Sequence, residues 1–376
     1  MVYLDYSATT PVNKEVLDSF NKVCLDYIGN ANSIHKLGKE SFHLMEACVK
    51  QVADILKVKS DEVIFTSGAT EANNLAIKGV AYKYRNRGNH ILTTKLEHSS
   101  ILETVDYLSK NGFEVEYINI LEDGRIDIND LKNKIKKNTI LVSIGEVNSE
   151  IGIKQNVNEI GLMLKDYPKV FFHVDGTQAV GKIEVDLKNI DLYSFSGHKI
   201  YGIKGIGCLI KKGNIELEPI IHGGKSQSKY RSGTPTLAHY ASIAKALKLV
   251  YDNFNNKYDY VMNLNKKLKE KLLKINNICI NSNENSIPHI LNISIKGIKA
   301  ETMLNALAEK DIFISTRTAC SDNTISLSVY ELTKNKELAR SSLRISISYL
   351  TTEEELEYFV QVIEDKIKEL SFEKGE

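Results

Sequence analysis

Two apolar segments of the sequence each end abruptly in polar side chains that could carry out chemistry. KVFFHVD runs through aromatic and β-branched residues to Asp175, and IDLYSFSGHK leads in the same way to Ser196, His198 and Lys199. Continuous apolar runs of this kind are typical of buried parallel strands. Ligands of open α/β sheets bind beyond the carboxyl ends of the strands, so we expect an acid and an amine to meet around one ligand.

An acid and an amine at one site match the requirements of pyridoxal phosphate (PLP). This cofactor needs an aspartate that faces its pyridinium nitrogen and a lysine that condenses with its aldehyde. A partly desolvated site with a neighbouring cation keeps such a lysine partly uncharged, and His198 is a candidate for that cation. Taken alone, Asp175 is more simply a turn cap and Lys199 a solvated side chain. Their joint occurrence favours the cofactor.

Polar residues at other strand ends could complete the site. In EVIFTSGATEANN a strand, a small-residue turn with Ala69 and Thr70, and a helix follow one another, and such a helix start binds anions through its N–H groups and dipole. An ordinary βα turn is the alternative. His98, in KLEHSS, could stack on a flat heterocycle and exchange protons, although a lone histidine is more often structural. Asn148, in GEVNSEIG, could reach a cofactor oxygen or a substrate carboxylate.

Seven strand candidates alternate with helices or short connectors and would position these residues. They are VIFTS, HILTT, FEVEYINI, TILVSIG, KVFFHVD, IDLYSFS and GIGCLI. The alternation predicts an α/β fold with a largely parallel seven-stranded sheet covered on both faces. GNANSIHKLGKE has the composition of a loop, and the apolar spacing after it predicts a helix over residues 41–57 with Phe42 in its apolar stripe.

A smaller α+β unit is expected after the sheet. Segments with few helix breakers predict long helices, followed by the strand PHILNISIK, a helix over residues 299–310, and the strands DIFIS and LRISIS. Thr352 and Glu355 have the spacing of a capping box at the start of the last helix.

The composition limits the classes of function. Among 376 residues, 49 lysines and arginines nearly balance 48 aspartates and glutamates, which argues against a protein whose main task is binding nucleic acid. No stretch approaches a membrane span and MVYLDYSATT lacks the features of a signal peptide, so we expect a soluble, cytoplasmic protein. The five scattered cysteines contain no CxxC pair for zinc binding or disulfide exchange.

Several motifs resemble those of class V aminotransferase-fold, PLP-dependent enzymes, and most closely those of cysteine desulfurases. HVDGTQAVGK and SFSGHKIYGIKGIG are similar to the cofactor segment of that family, and the likeness runs from YLDYSATTP to SSLRISIS. The resemblance implies the type I fold of PLP-dependent transferases. It also implies a large PLP-binding domain over residues 12–255 and a small domain made of residues 1–11 and 256–376.

The resemblance assigns roles around the cofactor ring. Lys199 would hold PLP covalently and Asp175 would keep its ring nitrogen protonated. Gln178 and Asn148 would orient the phenolic oxygen. His98 would stack on the ring and transfer protons.

The resemblance also assigns a phosphate site that two subunits share. The helix start at Ala69 and Thr70 would bind the phosphate together with Ser196 and His198. The loop IHGGKSQSKYRSGT would contribute Thr234 from the neighbouring subunit. We therefore expect a homodimer.

Substrate binding and sulfur transfer are implied in the carboxyl-terminal part of the chain. Arg344, in SSLRIS, matches an arginine that holds the substrate α-carboxylate through two parallel hydrogen bonds, a surface ion pair being the alternative. Asn148 is a further candidate contact. Cys320, in the accessible-looking stretch STRTACSDN, matches the nucleophilic cysteine. Arg317 and Thr318 stand where the best-known members have Gly and Ser.

A second departure from the family lies beside Asn148. Glu146 stands where the family often has His, and Ser149 stands where it often has Asn.

The implied activity removes sulfur from L-cysteine, giving L-alanine and a Cys320 persulfide that passes its sulfur to an acceptor protein. Because only a short segment follows the last helix, iron–sulfur cluster assembly and tRNA thiolation are both open as destinations of the sulfur.

Alternative functions that use the same cofactor are those of a selenocysteine lyase and an aminotransferase. A non-catalytic PLP-binding scaffold and a nucleotide-binding Rossmann protein are alternatives of other classes, and the last leaves Lys199 and Asp175 unexplained. We expect no metal, nucleic-acid or membrane partner.

Overall fold

The computed structural model describes residues 1–224, 227–316 and 325–372, without the side chains of residues 371 and 372. Within these ranges the strands form three sheets. The strands are β1 (Val2–Tyr3), β2 (Val63–Thr66), β3 (His90–Thr93), β4 (Glu114–Tyr117), β5 (Thr139–Gly145), β6 (Phe171–Asp175), β7 (Leu192–Ser196), β8 (Gly207–Lys211), β9 (Ile278–Ile280), β10 (Ile290–Ile295), β11 (Ile312–Phe313) and β12 (Ser342–Ser346).

Helices cover the sheets and connect their strands. They are α1 (Lys14–Asp26), α2 (Lys36–Leu56), α3 (Ala69–Lys83), α4 (Ser99–Ser109), α5 (Ile128–Lys134), α6 (Val157–Leu164), α7 (Leu237–Tyr251), α8 (Phe254–Leu272), α9 (Ala300–Ala308), α10 (Leu327–Thr333), α11 (Lys336–Arg340) and α12 (Glu353–Phe372).

The largest sheet contains the seven strands that the sequence predicts. Its strand order is β2-β8-β7-β6-β5-β3-β4, and β8 alone of these runs antiparallel to its neighbours. The carboxyl ends of the other six strands therefore lie along one edge. This arrangement confirms the predicted largely parallel sheet, and it brings the polar residues after each strand to the same side of the molecule.

Both faces of this sheet are buried because successive residues of its strands enter opposite cores. Phe65 and Leu92 pack on the side of α1, α2, α6 and α7. Their strand neighbours Ile64 and Ile91 pack on the side of α3 and α4. Two-sided burial explains why these strands read as continuous apolar runs rather than as alternating ones.

The smaller sheets form around a separate apolar core. β12, β10 and β9 make an antiparallel sheet, and β1 pairs in parallel with β11. Leu4, Leu291 and Phe359 belong to one buried cluster that joins the amino terminus, this sheet and α12. The first strand thus packs with the carboxyl-terminal elements, whereas the domain boundaries at residues 12 and 255 stay a prediction.

The capping box at the start of α12 is confirmed. The N–H of Thr352 donates to Oε2 of Glu355 at 2.9 Å, and the N–H of Glu355 donates to Oγ1 of Thr352 at 3.2 Å.

The predicted loop before α2 is wrong in its second half. The helix begins at Lys36, where the N–H of Gly38 donates to Nδ1 of His35 at 3.3 Å. Gly38 is needed for packing: a Cβ there would lie 2.2 Å from the carbonyl oxygen of Ser33. Phe42 is 40% exposed and lies outside the buried stripe of this helix.

Among the residues that the structure describes, no helix combines the length and the apolar character that a membrane crossing requires.

Candidate active site

A cavity of about 570 Å³ lies at the carboxyl edge of the large sheet. Its walls come from the segments that follow β2, β3, β5, β6 and β7, together with the amino-terminal segment and β12. The predicted site residues that line it are Ala69, Thr70, His98, Asn148, Asp175, Gln178, Ser196, His198, Lys199 and Arg344. Residues from distant parts of the chain therefore meet around one space large enough for a cofactor and a small substrate.

Lys199 ends a short 3₁₀ turn that follows β7 directly. Its Nζ donates to the carbonyl oxygens of Ser7 at 2.5 Å and Ala8 at 2.7 Å. The turn is fixed at its start, where the N–H of Gly197 donates to the carbonyl oxygen of Ile206 at 2.9 Å. The amine is thus held at the cavity wall by the amino-terminal segment.

His198 does not supply the cationic neighbour that we expected for Lys199. Burial, with the positive charge of Lys199 beside it, lowers the pKa of His198 to about 4. The imidazole is therefore neutral near pH 7, and its Nδ1 lies 3.2 Å from Oγ1 of Thr9. Lys204 also lines the cavity, and its positive charge likewise lowers the pKa of His198.

Asp175 is the last residue of β6 and its carboxylate is fixed on both oxygens. Oδ2 accepts a hydrogen bond from Nδ2 of Asn73 at 2.8 Å, and Oδ1 accepts one from the N–H of Thr177 at 2.9 Å. Asn73 is fully buried on α3. It was not predicted, although its position four residues after Ala69 places it on the helix face that begins at the cavity.

His98 caps the amino terminus of α4. Its Nδ1 accepts the N–H of Ser100 at 3.1 Å and lies 2.9 Å from the Ser100 hydroxyl. In the neutral ring Nδ1 is then the acceptor and Nε2 carries the proton. Burial lowers the pKa of His98, an effect that the charge of Asp175 opposes.

A hydrogen-bonded chain connects His98 with Asp175. Asn73 donates from Nδ2 both to Asp175 and to Oγ of Ser100, the latter at 2.9 Å. The Ser100 hydroxyl can then donate to Nδ1 of His98. The imidazole and the carboxylate are thereby held relative to each other by two intervening side chains.

The start of α3 has the features of an anion site. Gly68 precedes the helix, and no side chain of the described residues caps it. Ser196 is buried beside this turn, at the end of β7. Backbone N–H groups, a hydroxyl and the helix dipole therefore face the same part of the cavity.

The loop that bears Thr234 is tied to this helix start by an ion pair. Nε of Arg231 lies 3.0 Å from Oε1 of Glu71. Burial works against ionisation of Glu71, but hydrogen bonds from Arg231 and Ser67 outweigh it and lower the pKa of this carboxyl. Thr234 itself is exposed and does not line the cavity of its own chain.

Gln178 and Asn148 use their amides to hold the cavity wall. Gln178 donates to the carbonyl oxygen of Ser7 at 2.9 Å and accepts from Nζ of Lys182. Asn148 donates to the carbonyl oxygen of Leu96 at 2.9 Å and to Oγ of Ser328 at 3.1 Å. Their proposed contacts with a phenolic oxygen or a substrate stay predictions.

Arg344 is only 2% exposed, which is far from the surface ion pair considered as its alternative role. Its Nη2 lies 2.7 Å from Oδ1 of Asp5, and its Nη1 donates to the carbonyl oxygen of Ser149 at 3.0 Å. Asp5 was not predicted, because its partner lies 339 positions away. The guanidinium is oriented from two sides where it lines the cavity.

Cys320, with Arg317 and Thr318, lies outside the described residues. Two other cysteines, Cys48 and Cys208, are buried, and burial raises the pKa of both thiols, that of Cys48 to about 11. No described cysteine lines the cavity.

The donor set fits PLP. An amine, a fixed carboxylate, a stackable imidazole and an uncapped helix start suit the aldehyde, ring nitrogen, ring face and phosphate of that cofactor. A buried guanidinium adds a group that can pair with a carboxylate.

Comparisons with known proteins find similarity over nearly the whole chain. A family model described as Aminotransferase class-V matches residues 2–359. The cysteine desulfurase IscS of Buchnera aphidicola subsp. Baizongia pistaciae (strain Bp) is 41% identical over 379 residues, which cover 98% of this chain and 93% of that protein. The NifS/IcsS protein homolog of Lactobacillus delbrueckii subsp. bulgaricus is 39% identical and covers 97% of each.

A solved structure named NIFS-LIKE PROTEIN has the same fold. It superimposes with a TM-score of 0.92 at 33% sequence identity, and the match covers 99% of each chain. The predicted α/β architecture is thus confirmed as that of NifS-like proteins.

Proposed function

Because the chain belongs to the class-V aminotransferase family, we propose that it is a PLP-dependent cysteine desulfurase. The reaction takes sulfur from L-cysteine, releases L-alanine and holds the sulfur as a persulfide on Cys320. One observation carries the proposal: the amine of Lys199 and the fixed carboxylate of Asp175 line the same cavity.

In this proposal the cofactor is held at three points. Lys199 binds its aldehyde, Asp175 pairs with its ring nitrogen, and Thr70, Ser196 and His198 hold its phosphate at the start of α3. PLP bound there supplies an aldehyde that traps an amino group and a ring that takes up electrons.

Neutral His198 suits the phosphate site because an imidazole with a low pKa still donates one N–H. Gln178 and Asn148 are proposed to orient the phenolic oxygen. Hydrogen bonds from these amides to the carbonyl oxygens of Ser7 and Leu96 hold the two side chains at the cavity wall.

Substrate orientation is assigned to Arg344 and proton transfer to His98 and Lys199. The planar guanidinium binds the α-carboxylate of L-cysteine, and the bonds to Asp5 and Ser149 keep its plane fixed. Ser100 engages Nδ1 of His98, so the proton of the neutral ring is on Nε2, and Nε2 is the nitrogen that delivers a proton in the cavity.

The sulfur is taken by Cys320. Its thiolate attacks the sulfur of L-cysteine, a sulfur–sulfur bond forms as the carbon–sulfur bond breaks, and the carbon takes up a proton to give L-alanine. The buried thiols of Cys48 and Cys208 are protonated at neutral pH and are unsuited to this attack.

We further propose a homodimer in which Thr234 of one subunit reaches the phosphate of the other. Support comes from the exposure of Thr234 and from a run of exposed apolar side chains around the start of α2. These side chains are Leu25 (77%), Ile28 (76%), Ile34 (91%), Leu37 (44%) and Phe42 (40%).

The persulfide then passes its sulfur to an acceptor protein, either an iron–sulfur scaffold or a tRNA-thiolation enzyme. A cytoplasmic location stays a prediction from the sequence.

The test supplies L-cysteine and PLP and follows alanine and sulfide. Cys320→Ser should lose desulfuration, whereas Cys24→Ser, which changes an exposed thiol, should retain it. Full activity in Cys320→Ser would remove the nucleophile from the proposal. Transamination that depends on a keto acid, without sulfide, would replace the proposed activity by that of an aminotransferase.

A further inference from the structure

Lys182 is a buried lysine at the end of the HVDGTQAVGK motif, and the proposed function gives it no role. It is only 7% exposed and does not line the cavity. The turn after β6 brings it there: its N–H donates to the carbonyl oxygen of Ala179 at 2.9 Å, and Gly181 precedes it with a φ of 74°. A Cβ on Gly181 would lie 2.9 Å from Cγ2 of Val250, so the glycine allows this close packing.

The surroundings of Lys182 do not compensate a positive charge. Among the described residues its Nζ forms no ion pair, and the acceptor of its hydrogen bond is Oε1 of Gln178. Burial, together with the charges of Lys199 and Arg344, lowers the pKa of Lys182 far below that of a free lysine. Burial of an amine without an acid is costly. The hydrogen bond to Gln178 is therefore the contact through which Lys182 can act on the site.

The amide of Gln178 is fixed at both of its polar atoms. Oε1 accepts from Nζ of Lys182, and Nε2 donates to the carbonyl oxygen of Ser7 at 2.9 Å. Gln178 is only 5% exposed, so water cannot readily replace either partner. Without Lys182, Oε1 would be a buried acceptor with no donor, and the amide would turn to satisfy it elsewhere.

The carbonyl oxygen of Ser7 connects Gln178 with the reactive amine. Nζ of Lys199 donates to this same oxygen at 2.5 Å. The amide and the amine therefore lie within hydrogen-bond distance of one atom. Nε2 of Gln178 carries two hydrogens, of which Ser7 takes one. The second can serve the phenolic oxygen, which neighbours the aldehyde group in PLP.

We propose that Lys182 is a positioning residue, which holds Oε1 of Gln178 so that the amide offers its second N–H to the phenolic oxygen of the cofactor. The inference rests on the proposed function, since it takes PLP as the ligand and Gln178 as a contact. Lys182 then acts through Gln178 and does not touch the cofactor.

The test follows the absorbance of PLP-loaded protein as the pH is changed. A hydrogen bond to the phenolic oxygen draws electron density from it and weakens its hold on the proton of the nitrogen that joins PLP to Lys199. Loss of that bond in Lys182→Met should raise the midpoint of the absorbance change by about half a pH unit to one unit. An unchanged midpoint would overturn the inference.

A double variant separates positioning from a direct effect of the lysine's charge. Loss of a positive charge near Lys199 would raise the midpoint whether or not Gln178 is present. Gln178→Leu alone should raise the midpoint, and adding Lys182→Met to Gln178→Leu should change it by less than about 0.3 pH units. Equal shifts from Lys182→Met in both backgrounds would mean that Lys182 does not act through Gln178.

Lys211→Met is the matched control. Lys211 is a buried lysine, 3% exposed, that does not line the cavity. Its Nζ donates to the carbonyl oxygens of Lys212 at 3.0 Å and Ile215 at 2.7 Å. The control should keep the wild-type midpoint, and a shift as large as that of Lys182→Met would show that loss of any buried lysine has this effect.

Nuclear magnetic resonance of the apoprotein tests the contact without the cofactor. The chain has five glutamines, so with ¹⁵N label on this residue type the side-chain signal that Gln178→Leu removes identifies Gln178. Exchange of its N–H hydrogens with water should be about tenfold faster in Lys182→Met than in wild type. Equal exchange rates would overturn the inference. Wild-type protein that takes up no PLP overturns the proposed function as well, whereas normal uptake with an unchanged midpoint in Lys182→Met overturns the inference alone.

Discussion

Asn73 donates a hydrogen bond from Nδ2 to Oδ2 of Asp175 over 2.8 Å, although 102 positions separate the two residues in the sequence. The same nitrogen donates to Ser100, whose hydroxyl lies 2.9 Å from Nδ1 of His98. One buried amide thus orients both the carboxylate and the imidazole of the candidate site.

Asn73→Ala should lower kcat/KM for L-cysteine by about 10- to 100-fold, because a hydrogen bond to a charged group contributes about 1.5–3 kcal/mol. Alanine formation measures the loss. Asn74→Ala is the control, since the Asn74 amide donates within its own helix, to the carbonyl oxygen of Thr70 at 3.0 Å. The control should stay within about twofold of wild type. Equal losses in both variants would contradict the assigned role of Asn73.

Asp5→Ala should lower the free energy of unfolding by roughly 3 kcal/mol, because it leaves the buried guanidinium of Arg344 without its anionic partner. Chemical denaturation measures this change. Lys267→Ala breaks a half-exposed ion pair with Glu353 and should cost less than about 1 kcal/mol. Similar decreases in the free energy of unfolding for the two variants would show that the ion pair of Asp5 with Arg344 contributes no more than a surface contact.

Stability should fall in acid because of His173. The ring is fully buried in the large sheet and contacts the hydroxyls of Ser143 at 2.8 Å and Ser194 at 2.9 Å, and burial lowers its pKa to about 4. The unfolded chain, with an ordinary histidine pKa near 6.5, binds a proton that the native state resists. The free energy of unfolding should therefore decrease as the pH falls from about 6.5 to about 4, by roughly 3 kcal/mol from this residue.

Denaturation at several pH values checks the contribution of His173. His173→Gln should flatten the pH dependence, and His43→Gln, at an exposed position, should leave it unchanged. Part of the slope should persist in His173→Gln, because burial also lowers the pKa of His198 and His289. A slope equal to that of wild type would refute the assignment.

Lys199→Ala should abolish covalent retention of PLP. Without the amine the cofactor cannot condense with the protein, so gel filtration should separate it from the variant, and cysteine turnover should be lost. Lys188→Ala removes an exposed lysine and should retain both the colour and the activity. A coloured, active Lys199→Ala protein would end the proposal of PLP chemistry at this site.

Strands such as β5, β6 and β7 could be predicted because each is buried on both faces and so leaves a continuous apolar run in the sequence, whereas the half-exposed edge strand β4 alternates polar and apolar residues. The polar residues directly after those runs, such as Asp175 and Lys199, could be placed at one edge by the rule for parallel sheets. Asn73 and Asp5 could not be found in this way. Their partners lie far along the chain, and only tertiary packing brings them together.

The start of α2 could not be predicted because it depends on contacts of Gly38 and His35 that the sequence does not reveal. Gly38 reads as a breaker, but in the structure it allows close approach to Ser33 within the first turn of α2. His35 caps that turn through Nδ1, a task that its sequence neighbours do not reveal.

The amino-terminal segment contacts two candidate site residues, Arg344 and Lys199, from positions that are close together in the sequence. Asp5 holds the guanidinium of Arg344, and two and three residues later the carbonyl oxygens of Ser7 and Ala8 hold the amine of Lys199. The main chain from Asp5 to Ala8 thus joins the carboxylate that restrains Arg344 to the carbonyl oxygens that restrain Lys199.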